Sequence, residues 1–219
     1  MPPVVSIVGH SKVGKTTLIE KLVSELVRRG YRVATIKHAH DAGFDTPGKD
    51  SWRHIKAGSS ATALSAPGQL VLIEPRSNEL SEADIERFLG EDYDIILSEG
   101  FKQSDIPKIE VHRHGGGETL AGLKRLVAIV TDEKLNTRVR QFSFDDIKGV
   151  TDLLENGFIK PQSERILFYV NGEPVALTAF PRKVIIGILL GIVSSLKGIG
   201  VVKSLDISLR RKPEASNKL

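Results

Sequence analysis

Residues 3–17 read PVVSIVGHSKVGKTT, and they predict a strand, a loop and the start of a helix in that order. The apolar, β-branched run at 4–8 is typical of a buried strand. Residues 9–16 fit the phosphate-loop pattern G-x-x-x-x-G-K-[ST]. Apolar residues at helical spacing then predict a helix that ends near Gly30. This order favours a phosphate-binding loop over a glycine-rich turn without a ligand.

The residue types of this loop fit the chemistry of an anion site. Gly9 and Gly14 let the backbone approach phosphate oxygens, and successive N–H groups at the positive helix end then surround the anion. Lys15 is expected to reach the β- and γ-phosphates, and the Thr16 hydroxyl to bind Mg²⁺. The predicted phosphate-binding residues are Gly9, His10, Ser11, Lys12, Val13, Gly14, Lys15, Thr16 and Thr17. Many nucleotide-binding proteins carry such a loop, so it indicates a ligand class rather than one function.

The composition is that of a globular protein, with 40% hydrophobic and 26% charged residues in 219. The absence of cysteine excludes disulfides and thiolate metal sites. The first strand begins at once, which leaves no room for a signal peptide, and the longest apolar run (184–196) is too short to cross a bilayer. We therefore expect a cytoplasmic protein without a membrane partner.

The net charge is +4, and basic residues gather near the carboxyl end. A basic cluster can indicate a nucleic-acid partner or a solvated tail. The tail is the favoured interpretation, so no nucleic-acid partner is expected. Residues 211–219 are assigned to this basic tail.

Strands that alternate with helices predict an α/β fold, a three-layer, mostly parallel sheet of the P-loop NTPase kind, over residues 1–160. Further strands are predicted at 32–36, 61–66, 69–73, 93–98, 108–113, 125–130 and 142–144, and helices at 51–57, 81–89 and 150–155. Gly157 is expected to stop the last helix, and residues 158–164 are expected to form a linker.

Residues 161–210 have a pattern of their own and predict a small α+β (β-β-α-β) appendage. A hairpin is predicted around Asn171-Gly172, an apolar helix at 180–197 and a final alternating strand at 201–209. A unit of this size is expected to need docking or dimerisation for stability.

Several polar side chains follow predicted strands, where ligands of parallel sheets bind. Glu99 follows one of them, so it could hold Mg²⁺ or position a water molecule, or it could be a surface carboxylate. Asp45 and Asp50 are rival metal-facing carboxylates on a loop. His38 and His40 form an H-x-H pair that could ligate Zn²⁺ or Ni²⁺, although such a pair more often binds substrate phosphates or is part of a polar loop.

Lys37, beside this pair, could contact an anionic substrate. Asp132 follows another strand and could accept hydrogen bonds from guanine N1–H and N2–H₂, which would select GTP over ATP; alternatively it caps a turn. A small-molecule kinase with Glu99 or Asp41 as base is a further possibility, against which stands the lack of an arginine-rich lid.

Several stretches together resemble the molybdopterin-guanine dinucleotide biosynthesis adapter family (MobB). They are GHSKVGKTT (9–17), IKHAHD (36–41), PGKDS (47–51), KAG (56–58), LSEGFK (97–102) and IPKI (106–109). The similarity covers residues 3–157. The phosphate loop alone is unspecific, but its combination with I-K-H-x-H, P-G-K-D-S and E-G-F-K is far more specific.

The resemblance implies a GTP-binding, weakly GTP-hydrolysing homodimer that assists a partner guanylyltransferase in attaching GMP to molybdopterin. It implies that residues 9–17 hold phosphates, that Thr16 and Glu99 attend Mg²⁺, and that 37–41 and 47–50 line the cleft. The candidate catalytic residues are Lys15 and Glu99, the candidate metal ligands are Thr16, Glu99 and Asp50, and Lys37, His38 and Asp132 join the loop as candidate nucleotide-binding residues. The alternative is a GTP-dependent metal-insertion protein resembling nickel chaperones, motivated by the H-x-H pair.

Overall fold

The computed structural model describes residues 2–38, 45–78, 80–90, 92–162, 166, 168–171, 173–175, 177–202, 205 and 207–209. Within it the chain divides into two compact units, Met1–Glu164 and Arg165–Leu219. The phosphate loop belongs to the first unit.

A parallel sheet of six strands forms the centre of the first unit. The strands of this unit are β1 (Val4–Val8), β2 (Val33–Lys37), β3 (Thr62–Ala66), β4 (Gln69–Ile73), β5 (Ile95–Glu99), β6 (Lys108–His112), β7 (Leu126–Thr131) and β8 (Arg140–Phe142). The order across the sheet is β2-β5-β1-β6-β7-β8, and every neighbouring pair is parallel. The strands β3 and β4 form a separate antiparallel hairpin, with Pro67 and Gly68 in its turn. The prediction of an α/β, mostly parallel sheet is confirmed.

Helices cover both faces of this sheet. The helices of the first unit are α1 (Lys15–Arg28), α2 (Asp50–Lys56), α3 (Glu82–Leu89) and α4 (Ile147–Leu154). The apolar stripe of α1, which includes Leu18, Leu22 and Leu26, is buried with residues of α4 against one face. Helix α3 packs Ile85 and Leu89 against the other face. These contacts give the predicted three layers.

The last helix of this unit is longer than the sequence predicted. It begins at Ile147, because Asp146 caps it by accepting a hydrogen bond from the Gly149 amide at 2.9 Å. Its backbone stays helical through a π-helical turn (Glu155–Ile159) and a 3₁₀ turn (Lys160–Gln162). The predicted stop at Gly157 and the linker at 158–164 are therefore wrong over the described residues. Burial of Ile159 in the core favours continued helix over the local breaking tendency of Gly157.

The second unit contains a short hairpin and one helix among its described residues. These are β9 (Tyr169–Val170), β10 (Glu173–Pro174) and α5 (Ala179–Ser194). Asn171 takes a positive φ of 54° in the hairpin turn, as expected for Asn-Gly. The described residues of 201–209 lie outside any strand, so the predicted final strand is absent from them. Alternation alone does not form a strand without a neighbour to pair with. Over the described residues, no helix is long and apolar enough to cross a membrane.

One face of β6 carries polar side chains that are nevertheless buried. Lys108, Glu110 and His112 alternate along β6 and are at most 6% exposed. The Lys108 ammonium donates hydrogen bonds to the carbonyls of Ser104 and Ile106, at 2.5 and 2.9 Å, and the Glu110 carboxylate accepts one from the Leu120 amide at 2.6 Å. Backbone of the loops after β5 and β6 therefore satisfies the Lys108 ammonium and one oxygen of the Glu110 carboxylate, while the His112 ring contacts the Glu133 carboxylate at 2.7 Å.

A partly buried ion cluster joins the end of α1 to α4 and predicts acid sensitivity. The Arg29 guanidinium donates to carboxylates of Glu25, Asp152 and Glu155 at 2.9, 2.7 and 2.6 Å. The guanidinium of Arg28 and then that of Arg29 lower the pKa of Glu25 to about 2, and Lys160 followed by Arg29 does the same for Glu155. Because these pKa values lie below those of the unfolded chain, the stabilisation is complete above about pH 4.5 and is lost as pH falls towards 2.

We therefore expect Arg29→Met to lower the melting temperature by a few degrees at pH 7 and by progressively less as pH falls from 5 to 2. Circular dichroism melts of both proteins across this range measure the difference. Arg53→Met is the control, because the ion pair that Arg53 makes with Asp50, at 3.7 Å, is exposed to solvent. A difference that stays constant with pH would contradict the assignment.

Candidate functional site

The phosphate loop connects β1 to α1 and has a conformation that demands glycine at two points. Gly9 has a φ of 150°, and a Cβ there would lie 2.4 Å from the Val111 carbonyl oxygen of β6. Gly14 has a φ of 106° and precedes the first residue of α1. Lys12 also takes a positive φ, 63°, which is uncommon for a residue with a side chain. Such strain is typical of loops whose backbone must face a ligand.

Lys15 lies folded over this loop. Its ammonium donates a hydrogen bond to the His10 carbonyl at 2.6 Å. Loss of hydration lowers the pKa of Lys15; Glu99 opposes this shift, while Lys102 and Lys37 add to it. Three ammonium groups are thus close enough to affect one another, and an anionic ligand would relieve their repulsion.

Glu99 stands at the carboxyl end of β5, between the phosphate loop and β2. Thr16 donates its hydroxyl hydrogen bond to the Glu99 carboxylate at 3.1 Å. The Lys37 ammonium lies 3.8 Å from the same carboxylate oxygen. The structure therefore brings together three of the predicted residues. A hydroxyl and a carboxylate in contact are oxygen ligands of the kind that Mg²⁺ prefers, so these residues fit that ion.

A cavity of about 750 Å³ opens beside this group. It is lined by Lys15, His38, Leu80, Ser81, Glu99, Gly100, Phe101, Lys102, Gln103 and Ser104. The His38 and Phe101 rings lie 5.0 Å apart, and a Cβ on Gly100 would approach the His38 Cβ to 3.2 Å. His38 is therefore placed in the cavity wall with the candidate residues of β5. His40 and Asp41 lie outside the described residues.

Asp132 lies at the same edge of the sheet but in a different cavity. It follows β7, and its carboxylate accepts a hydrogen bond from the His114 amide at 2.7 Å, which lowers its pKa. The surrounding cavity of about 380 Å³ is lined by Thr131, Asp132, Glu133, Lys134, Gln141, Phe142 and Ser143. Asp132 is thus separated from Glu99 by the strands β1 and β6.

The other predicted residues lie in varied places. Asp50 begins α2 and is exposed beside Arg53, outside the lining of the Glu99 cavity. The carboxylate of Asp45 accepts a hydrogen bond from the Ser51 hydroxyl at 2.9 Å. Val13 is buried in the core, so its backbone alone is offered to a ligand. Of the remaining loop residues, Ser11 and Thr17 are exposed, and the His10 ring is 2.8 Å from the Glu118 carbonyl.

Sequence reasoning missed one cation beside the phosphate loop. Arg113 follows β6, and a Cβ built on Gly14 would lie 3.8 Å from its guanidinium. The guanidinium is stacked on the Phe144 ring, 4.5 Å from its centre. The available signal was the H-R-H run at 112–114, at the carboxyl end of the predicted strand 108–113 and therefore at the ligand-binding edge of the sheet.

No three His, Asp or Glu side chains are grouped to hold a metal ion within the part of the chain that the structure describes. His38 is described there, but His40 is not. The H-x-H pair therefore stays a prediction.

The parallel sheet with its phosphate loop and adjoining Lys15, Thr16 and Glu99 defines an α/β protein of the P-loop NTPase class. Residues 4–132 match the family described as "MobB: Molybdopterin guanine dinucleotide synthesis protein B". The chain belongs to this family.

Curated relatives agree with this assignment. The molybdopterin-guanine dinucleotide biosynthesis adapter protein of Escherichia coli K12 is 35% identical over 70% of this chain and 92% of its own length. The adapter protein of the same name from Haemophilus influenzae is 37% identical over 70% of this chain and 88% of its length.

Solved structures have the same fold. A MobB protein homolog from Bacillus stearothermophilus aligns with a TM-score of 0.56 at 28% identity, covering 73% of this chain and 99% of the other. Bacillus subtilis MobB aligns with a TM-score of 0.54 at 26% identity, covering 74% and 99%.

Proposed function

We propose that this protein is a GTP-binding adapter in the biosynthesis of molybdopterin-guanine dinucleotide. In this role it would bind a partner guanylyltransferase and assist the attachment of GMP to molybdopterin. The observation that carries the proposal is the contact of Thr16 with Glu99 beside Lys15, at the phosphate loop of a chain that belongs to this family. We further propose that the protein acts as a homodimer in the cytoplasm.

Each part of the site has a role in this proposal. The backbone amides of residues 9–17 bind the phosphates, and the Lys15 ammonium neutralises their charge. Thr16 and Glu99 would hold Mg²⁺, which would screen the phosphate charge. The Asp132 carboxylate would select guanine, because adenine offers no matching pair of donors. Lys37 and His38, in or beside the cavity wall, would contact the phosphate of the molybdopterin substrate.

The only catalytic activity we propose for the chain alone is slow hydrolysis of GTP. Lys15 stabilises charge on the transferred phosphoryl group, while Glu99 is tied to Thr16 and Lys37. On the Glu99 side of the loop the cations are the lysines Lys15, Lys37 and Lys102, and none of them has the planar guanidinium that accelerates hydrolysis in faster relatives of this fold class.

The decisive experiment measures guanylylation of molybdopterin by the purified partner enzyme with and without this protein. We expect stimulation with GTP and Mg²⁺, and no stimulation by the Lys15→Ala variant. Lack of stimulation by wild-type protein that binds GTP would contradict the adapter role. Equal affinity for GTP and ATP would contradict guanine selection.

The nickel-chaperone alternative makes a different prediction. Isothermal titration with Ni²⁺ and Zn²⁺ would show tight binding that is lost in a His38→Ala, His40→Ala double variant. Under the adapter proposal we expect neither ion to bind tightly to the wild type. GTP should bind both the wild type and the double variant.

A Thr16→Val variant tests the proposed magnesium site. We expect the affinity for GTP in the presence of Mg²⁺ to fall roughly tenfold, because the hydroxyl that would bind the ion is lost. Affinity in the presence of EDTA should change little, since the backbone amides are intact. Titration calorimetry in both buffers gives the comparison, with Thr62→Val in the β3–β4 hairpin as control. An equal loss in Mg²⁺ and EDTA would remove Thr16 from the metal site.

A further inference from the structure

The phosphate loop has a second wall, opposite Glu99. Strand β1 lies between β5, which ends in Glu99, and β6, which is followed by Arg113. The segment 113–118 packs directly on the loop: a Cβ on Gly116 would lie 3.1 Å from a Val13 methyl group, and the His10 ring contacts the Glu118 carbonyl at 2.8 Å. This wall is therefore in contact with both halves of the phosphate loop.

Arg113 places the one guanidinium of this wall next to Gly14. A terminal nitrogen lies 3.8 Å from where a Gly14 Cβ would stand, and a Phe144 ring carbon lies 3.7 Å from the same point. Stacking at 4.5 Å holds the guanidinium flat against Phe144. Because Gly14 directly precedes α1, the cation stands beside the amides that face the anion.

The backbone at Arg113 is fixed by its neighbours. The rings of His112 and His114 approach the two oxygens of the Glu133 carboxylate at 2.7 and 2.9 Å. The Arg113 carbonyl accepts a hydrogen bond from the Gly116 amide at 2.8 Å. The side chain thus projects from a short segment that is held on both sides.

Within the part of the chain that the structure describes, no ion pair uses the charge of Arg113. Among the described residues, no carboxylate lies within 4.0 Å of its guanidinium. The hydrogen bond from the His114 amide is the first cause that lowers the pKa of Asp132, and the charge of Arg113 adds a smaller effect. An exposed guanidinium that is oriented by an aromatic ring and lies beside a phosphate loop is suited to an outside anion.

We propose that Arg113 binds the phosphate chain of the nucleotide, on the side of the loop away from Glu99. The proposal rests on the proposed function, since it assumes a nucleotide in the loop. Arg113 contributes a planar, two-pronged donor that the lysines do not have, and Phe144 sets its orientation. It is a ligand-binding residue that contacts phosphate oxygens rather than the base.

The test compares wild type with Arg113→Gln, which keeps most of the side chain's length, and with Arg113→Lys. Competition against a fluorescent GTP analogue gives affinities for GTP and for inorganic pyrophosphate. We expect Arg113→Gln to weaken both by roughly tenfold, because one charge-assisted contact is lost. Arg113→Lys should recover part of the loss, and Phe144→Leu should weaken both by about two- to fivefold.

Arg32→Gln is the matched control. Arg32 also stacks on an aromatic ring, at 5.7 Å from the centre of Tyr93, but precedes β2 at the opposite edge of the sheet. The Arg32→Gln variant should bind GTP and pyrophosphate with the affinities of the wild type.

Two outcomes would overturn the inference. Wild-type affinity of Arg113→Gln for both ligands would show that the cation is not used. A loss confined to GTP, with unchanged pyrophosphate affinity, would place Arg113 on the base or ribose instead. Both differ from failure of the proposed function, in which wild type and Lys15→Ala would bind GTP equally or not at all.

Discussion

Replacing Lys15 with alanine is expected to weaken GTP binding by roughly a hundredfold, or about 2.7 kcal/mol. The ammonium is held over the phosphate loop by the His10 carbonyl at 2.6 Å, so it is already in place when the ligand arrives. Partial burial is the first cause that lowers its pKa, so the ammonium has lost part of its hydration before the ligand binds. A charge-assisted bond in such surroundings contributes more than it would in bulk water.

The same substitution should leave the fold intact. Burial disfavours the Lys15 charge, Glu99 favours it, and Lys102 and Lys37 disfavour it, with a lowered pKa as the net result, so removing the charge should not destabilise the free protein. We therefore expect an unchanged or slightly higher melting temperature alongside the loss of affinity. Lys21→Ala, on an exposed part of α1, is the control for a lost lysine on the same helix. Equal GTP affinity in Lys15→Ala and Lys21→Ala would remove the loop from the mechanism.

The central sheet could be predicted from the sequence because its signals are local. Runs such as 4–8 and 93–98 are apolar and β-branched, and each is followed by polar or glycine residues. The hairpin turn at Pro67-Gly68 and the N-cap at Ser81 also follow local residue preferences, since proline and glycine favour turns and serine favours helix N-caps. Glu99 was identified from its position after a predicted strand, and the family resemblance then added the expectation that it attends Mg²⁺ together with Thr16.

Features that depend on distant packing could not be predicted in this way. Gly157 has a local tendency to end a helix, and only the core position of Ile159 shows why the helix continues. Polar and apolar residues alternate along β6, which predicts that its polar face is exposed to solvent. In the structure, carbonyls of the preceding loop bind the Lys108 ammonium, and the side chain is completely buried. The position of Arg113 beside the phosphate loop depends on the strand order, because β6, which Arg113 follows, pairs with β1. The sequence alone does not show which strand lies next to β1.

The two walls give the phosphate loop different surroundings on its two sides. The Glu99 wall combines a carboxylate, a hydroxyl and lysines, which fits a metal ion and an exchanging anionic substrate. The segment 113–118 on the other side has a guanidinium that stacks on the Phe144 ring. This arrangement fits the phosphate chain of a bound nucleotide. Contacts with substrate and partner are therefore expected on the side of the cavity that contains His38 and Phe101.

Gly9→Ala is the second substitution with a large expected effect, and it acts through the backbone. The new Cβ would stand 2.4 Å from the Val111 carbonyl oxygen and 3.1 Å from a Val13 methyl group. The Val111 carbonyl belongs to β6, so relief requires that β6 or the phosphate loop moves. We expect a loss of about 1–3 kcal/mol in the free energy of unfolding, as for an overpacked core.

GTP affinity should fall in the same variant, because a displaced loop no longer directs its amides at the phosphates. Denaturant unfolding and titration calorimetry measure the two effects. Gly30→Ala is the control: Gly30 also has a positive φ, 92°, but a Cβ there would meet nothing within 4 Å. The Gly30→Ala variant should therefore lose stability through backbone strain alone, without a steric clash. If both variants lost the same stability and kept their affinity for GTP, strain alone would explain Gly9, and the close approach of β6 would not shape the phosphate loop.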